Sequence, residues 1–168
     1  MSWSILRVSN TWLCLVSCIV MIGGLVLANA ALADAERDEA RIKYRQILMS
    51  GVGSDMGGIG DILKNQLELP GHVESHARQI AESSKLIAAA FKSQVTSGAT
   101  DAKPEIWQDW QHFEEEIAEL AKAARALESV AASNEPSVIG PAVKALGEAC
   151  GGCHKTFRKP KEESYKNQ

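Results

Sequence analysis

A chain of 168 residues suits one domain. It is long enough to bury a real core without disulfides. All 21 acidic residues and all but one of the 18 basic ones lie beyond residue 33, which gives that part a formal charge of −4. Such mild acidity argues against a nucleic-acid binder, which presents basic patches.

The first 33 residues hold one charged side chain, Arg7. An apolar run from Trp12 to Leu27 gives way to small residues, Ala28-Asn29-Ala30 and Ala31-Leu32-Ala33. This is the pattern of an export signal with its cleavage site. Charge resumes at Asp34, so cleavage is expected after Ala33, with a mature domain over residues 34–168. Two alternatives stand beside it. The run is long enough for an uncleaved anchor, and Leu15-Val16-Ser17-Cys18 resembles a lipoprotein processing site. Cleavage after Ala33 removes Cys14 and Cys18, so the mature chain keeps only Cys150 and Cys153. An exported protein with this single close pair has no disulfide framework to build.

The mature region shows no strand alternation. Apolar residues recur at three- and four-residue steps, which predicts four helices. The first covers about 34–66, with Ile42, Ile47, Leu48, Val52, Ile59, Ile62 and Leu63 on its inner face. The second covers about 73–96, with Val73, Ala77, Ile80, Leu86, Ile87, Ala90 and Phe91 as its stripe. The third opens at Pro104, a residue suited to a first turn, and runs to about Ala132. Its buried face is Trp110, Phe113, Ile117, Leu120, Ala121, Ala124 and Leu127. The fourth covers about 137–158, with Val138, Ala142, Leu146, Ala149, Cys153 and Phe157 inside. The charged tail from Lys159 is expected to fray. The fold class is therefore all-α, an antiparallel up-down four-helix bundle. Such bundles hold cofactors between facing helices.

Gly51, Gly53, Gly57, Gly58 and Gly60 crowd the first helix. Each costs about 0.5–1 kcal/mol relative to Ala in a helix interior. Either the helix breaks there, or the missing side chains let a neighbour approach the backbone.

Near the C-terminus stands Cys150-Gly151-Gly152-Cys153-His154. This spacing is a haem c attachment signature. Two thiols add across the two vinyl groups, and the adjacent imidazole binds iron as the proximal ligand. On a helix, Cys150, Cys153 and His154 share one face. A zinc site needs two further ligands. The mature chain has no other Cys, and His72, His76 and His112 read as solvated non-ligands. A thioredoxin-type pair needs a βαβ setting, which this chain lacks.

Most small c-type cytochromes carry this motif near the N-terminus, whereas here it lies on the last helix. Together with Lys43-Tyr44-Arg45-Gln46 and Met49, with Ala102 to Trp107, and with Cys150 to Arg158, the arrangement resembles the class II cytochromes c, the cytochrome c prime family. The resemblance covers essentially the whole mature chain. It implies a periplasmic, non-enzymatic protein with one haem c on Cys150 and Cys153 and His154 on the iron. It places Arg158 beside the proximal side, where it influences ligand exchange. Arg45 and Gln46 match positions that hold the haem propionates, and Phe157 matches an aromatic position. Trp107 reads as core packing. Met49 falls where the family places the residue over the iron. As an apolar cap it leaves a five-coordinate haem for small gases such as nitric oxide and carbon monoxide, or for single-electron transfer. As a sixth ligand it makes a low-spin electron carrier. Met56 is a weaker candidate for that place. The resemblance further implies a homodimer through the first two helices. The redox partner proteins are not named by any residue.

Overall fold

A computed structural model describes residues 10–133 and 135–167, with side chains for residues 32–133, 135 and 137–167. Of the export signal expected at residues 1–33, residues 1–9 lie outside the described residues and the rest is helical, with side chains described only from Leu32. The chain divides into two units, Met1–Asp38 and Glu39–Gln168. In the first, the described part is helical and Arg37 donates to Asp34 at 2.8 Å. Among the described residues no helix is long and apolar enough to cross a membrane.

The elements are α1 (Asn10–Lys64), α2 (His72–Phe91), a short α3 (Glu105–Gln108), α4 (Trp110–Ala131) and α5 (Pro136–Phe157). The second unit is the expected all-α four-helix bundle, built from the bundle part of α1 with α2, α4 and α5. Its core is continuous from Leu48, Val52, Ile59 and Ile62 through Ala77 and Ile80 to Leu127 and Leu146. Ile59, Ile80, Leu127 and Leu146 are fully buried. Each such side chain is worth about 1.5–3 kcal/mol relative to exposure.

The stripes predicted from periodicity need three corrections. Ile47, Leu86 and Val138 are exposed. On α5 the buried neighbour is Ile139, one residue on from Val138. A one-residue error at a helix start rotates the assigned face by about 100°.

The glycine-rich stretch does not break α1. A Cβ built on Gly58 would lie 2.8 Å from Nε2 of His76 on α2. The missing side chain is thus what lets α2 approach. His76 is accordingly not the solvated surface residue expected. Its Nδ1 lies 2.9 Å from Oδ1 of Asp55, and both side chains are largely buried between α1 and α2.

Two helix ends also differ from expectation. The second helix stops at Phe91 rather than near Thr96. The Arg45 guanidinium takes the carbonyls there: Nε donates to Ala90 at 3.0 Å, Nη1 to Val95 at 3.2 Å and Nη2 to Ser93. The Trp107 indole N–H donates to the Phe91 carbonyl at 2.7 Å. The expected third helix is interrupted at Asp109, whose φ of −129° and ψ of 63° are not helical. Its carboxylate instead accepts the His112 amide at 3.3 Å and so caps α4.

Candidate functional site

The bundle encloses a cavity of about 590 Å³, within the range of about 300–1,000 Å³ usual for cofactor sites. Helix α5 contributes Ala149, Cys150, Cys153, His154 and Phe157. Helix α1 contributes Arg45, Gln46, Met49, Val52, Gly53 and Met56. Ile87, Phe91, Phe113, Ile117 and Leu120 fill in the apolar wall from α2 and α4. All seven site residues expected from the sequence therefore border one space: Cys150, Cys153, His154, Arg45, Gln46, Met49 and Arg158.

The motif residues share a helical face because α5 continues to Phe157. Burial pushes the Cys150 thiol up from its ordinary value. The Cys153 thiol is pushed up to about 12, first by burial, then by the charge of Glu116 and by Cys150. Such a site resists thiolates. That disfavours a redox dithiol, which needs a thiolate, and among the described residues no group of three or more His, Cys, Asp or Glu side chains is placed to hold a metal ion such as zinc. A thioether carries no charge and suits it. The His154 pKa is lowered by burial and then by the Arg158 charge. A neutral imidazole with a free lone pair is the form that binds iron. The donor set and the apolar walls fit a covalently held haem.

The two positions expected to hold the propionates, Arg45 and Gln46, make contacts within the protein. Arg45 is 3 % exposed, bonded to the α2 end as described, and its guanidinium carbon stands 4.8 Å from the Phe91 ring centre and 5.4 Å from that of Trp107. The Gln46 amide donates to the Ala99 carbonyl at 2.6 Å. Trp107 has the packing role expected of it. Met49 is partly buried against the core. Met56 leans toward α5, its methyl 3.8 Å from where a Gly147 Cβ would stand.

Arg158, the expected last residue of the fourth helix, lies just beyond α5. It is the first extended residue after the helix, with φ of −113° and ψ of 141°. Its Nη2 approaches Oδ2 of Asp101 at 3.4 Å. The backbone joins in, since the Lys103 amide donates to Phe157 and the Lys159 amide to Asp101, at 3.0 and 2.8 Å. Lys103 Nζ donates to the Thr156 carbonyl at 2.8 Å, so the loop before α3 clasps the end of α5.

Four ionisable cavity residues escaped the sequence reading. Glu116 brings a carboxylate to the cavity; a Cβ on Gly152 would meet its Oε2 at 3.1 Å. Its Oε1 lies 3.4 Å from Nε2 of His112, whose ring stands edge-on to Phe157 with centroids 5.2 Å apart. The signal for Glu116 was its place beside Ile117, at the rim of the α4 apolar stripe. The others are Asp101, Tyr165 and Lys166. The last two lie in the tail that was expected to fray. Instead the tail forms two 3-10 turns, Lys161–Glu163 and Tyr165–Asn167.

A helical bundle that encloses an apolar cavity on a Cys-x-x-Cys-His face defines the bundle class of cytochromes, distinct from those with the motif near the N-terminus. The family model described as Cytochrome C' matches residues 40–158, and the chain belongs to the cytochrome c prime family, haem proteins that are not enzymes. It is 33 % identical over 133 residues to a cytochrome c prime of Rhodospirillum rubrum, covering 79 % of this chain and 90 % of that one. It is 35 % identical over 121 residues to one from Pararhodospirillum photometricum, covering 71 % and 97 %. A solved cytochrome c prime from Shewanella frigidimarina superposes with a TM-score of 0.67 at 27 % identity, over 73 % of this chain and 97 % of that one. A solved nitric oxide complex of a cytochrome c prime variant from Alcaligenes xylosoxidans superposes with a TM-score of 0.65 at 26 % identity, over 73 % and 97 %.

Proposed function

We propose that this chain carries one haem c through thioethers to Cys150 and Cys153, with His154 on the iron and the other face open to a small diatomic gas. The observation that carries the reading is the cavity between the helices. It joins a Cys-x-x-Cys-His face of α5 to an apolar wall of α1, where Met49, Val52 and Met56 stand. The haem supplies a redox-active iron with a vacant position for nitric oxide or carbon monoxide. The protein's own residues do the rest. His154 stays neutral and available for the metal. The apolar wall excludes anions and larger ligands, since a charge gains nothing there to replace its water. Arg158 sets a positive charge beside the His154 side. Arg45 and Gln46 fix the α1 wall against the α2 end and the following loop. Intact-mass measurement of the exported protein tests the linkage: one covalent haem adduct is expected, lost in Cys150→Ser with Cys153→Ser. An unmodified parent mass would overturn it.

A second reading is favoured by Met49, a thioether on the wall of the same cavity. Bound to iron it makes a low-spin carrier of raised potential. Export to the periplasm, with residues 1–33 removed, accords with haem c attachment outside the cytoplasm. A homodimer is supported by the exposed Tyr44 and Ile47 on α1 and Leu86 on α2. A solved cytochrome c prime at 29 % identity and a TM-score of 0.65 is described by its ligand-controlled dimer dissociation. Sedimentation should give a dimer, and Ile47→Glu a monomer. A monomeric parent would refute this.

A further inference from the structure

Residues 159–168 lie beyond the family match and read Lys-Pro-Lys-Glu-Glu-Ser-Tyr-Lys-Asn-Gln. Nothing in that composition provides an apolar anchor of its own, yet the segment is docked. Ser164 is 4 % exposed. Its hydroxyl donates to Oδ2 of Asp101 at 2.9 Å, and the Tyr165 amide donates to Oδ1 at 3.0 Å. The Arg158 guanidinium approaches Oδ2 as well, at 3.4 Å. One carboxylate thus ties together the tail and the cation whose charge reaches the His154 ring. Tyr165 and Lys166 then stand in the cavity wall, with the Lys166 ammonium 5.9 Å from the centre of the Tyr165 ring.

We propose that residues 161–167 are a strap that screens the His154 side of the cavity, with Tyr165 as the screening side chain and Asp101 as its latch. The inference rests on the gas-binding haem proposed above. A segment held by a few hydrogen bonds and little apolar burial opens locally without unfolding of the bundle. The latch therefore sets how often the His154 side is exposed. Asp101 is a positioning residue: it acts through the strap and through Arg158.

The test uses full-chain holoprotein and three variants: Asp101→Asn, Tyr165→Ala, and a chain ending at Pro160. The latch is read by hydrogen exchange at the Tyr165 amide. Screening is read by stopped-flow spectra of the reduced protein mixed with nitric oxide, following release of His154 from the iron, because nitric oxide weakens the bond opposite it. Asp101→Asn should speed the amide exchange about tenfold, the effect of weakening a bond from a charged to a neutral acceptor, and should speed His154 release comparably. The shortened chain should release His154 at least as fast, although it keeps Asp101 beside Arg158. Tyr165→Ala should speed release while its amide stays protected. Exchange of the parent amide at the rate of an unstructured peptide would overturn the latch. Parent-like release in the shortened chain would overturn the screening, even if Asp101→Asn is fast, and would leave Asp101 acting on Arg158 alone. A parent haem that binds no gas would overturn the gas-binding reading and the screening with it, while the exchange arm still decides the latch.

Discussion

Replacing Arg45 should loosen the bundle at a place remote in sequence. Its guanidinium gathers the carbonyls of Ala90, Ser93 and Val95 and lies against Phe91 and Trp107. Hydrogen bonds from a charged donor are worth about 1.5–3 kcal/mol each, and a cation over an aromatic ring adds about 0.5–2 kcal/mol. The full sum overstates the loss. Removing the arginine also removes the cost of burying its charge, and some of the freed carbonyls regain water. Breaking a buried charged cluster by deleting one partner costs about 3–5 kcal/mol, and the part-buried carbonyls place Arg45→Ala near the low end, at about 3 kcal/mol. Arg45→Lys keeps the charge but presents one nitrogen, which cannot serve three diverging carbonyls, so about 2 kcal/mol is expected. Urea unfolding of the holoprotein should show a lower midpoint at unchanged slope. Amide exchange should rise over residues 88–96. An arginine that served only the haem carboxylates would leave that segment alone. A loss within about 0.5 kcal/mol for both variants, the range of an ordinary surface change, would refute the reasoning.

Three further outcomes follow from particular contacts. Gly58→Ala should be destabilising by about 1 kcal/mol, because overpacking against His76, at about 1–3 kcal/mol, outweighs the helix-propensity gain of up to about 1 kcal/mol. Thermal unfolding checks it, and a raised Tm would contradict it. Asp109→Ala should lower stability by about 1 kcal/mol through loss of the α4 cap, read in the same assay. The Asp101 carboxyl is raised by burial, but the bonds from Tyr165, Ser164 and Arg158 outweigh that and hold it below the ordinary carboxylate value of 3.8. Its contribution is therefore complete above about 3.8 and is lost as pH falls through the lower folded value. Protection of the Tyr165 amide, taken relative to its intrinsic exchange at each pH, should be lost only under that acid, and a loss of protection at neutral pH would contradict the assignment.

The helices were legible because each buries a stripe at helical spacing, and the haem motif was legible because its chemistry is local. Ile47 and Val138 show the limit of spacing alone: both keep the period, and both lie outside. The end of α2 was not legible, since the group that takes its carbonyls is Arg45, about fifty residues earlier. Tail docking was hidden for the same reason, its acceptor Asp101 lying more than sixty residues upstream of Ser164 and Tyr165. The Asp109 interruption did leave a mark. An Asp at the cap position three before His112 is a helix-start signal, but Pro104 had already claimed that start. Among the cavity-lining residues, those on α1 and α5 were readable from the motif and the resemblance. Tyr165 and Lys166 were not, because the tail has the composition of a solvated end.

The most direct test of the open iron is the optical spectrum of the reduced protein with and without carbon monoxide. A five-coordinate haem on His154 gives a high-spin reduced spectrum that carbon monoxide converts to a low-spin one, and Met49→Leu leaves that behaviour unchanged. A reduced spectrum already low-spin and unmoved by carbon monoxide, becoming responsive only in Met49→Leu, would contradict the account and make Met49 the sixth ligand.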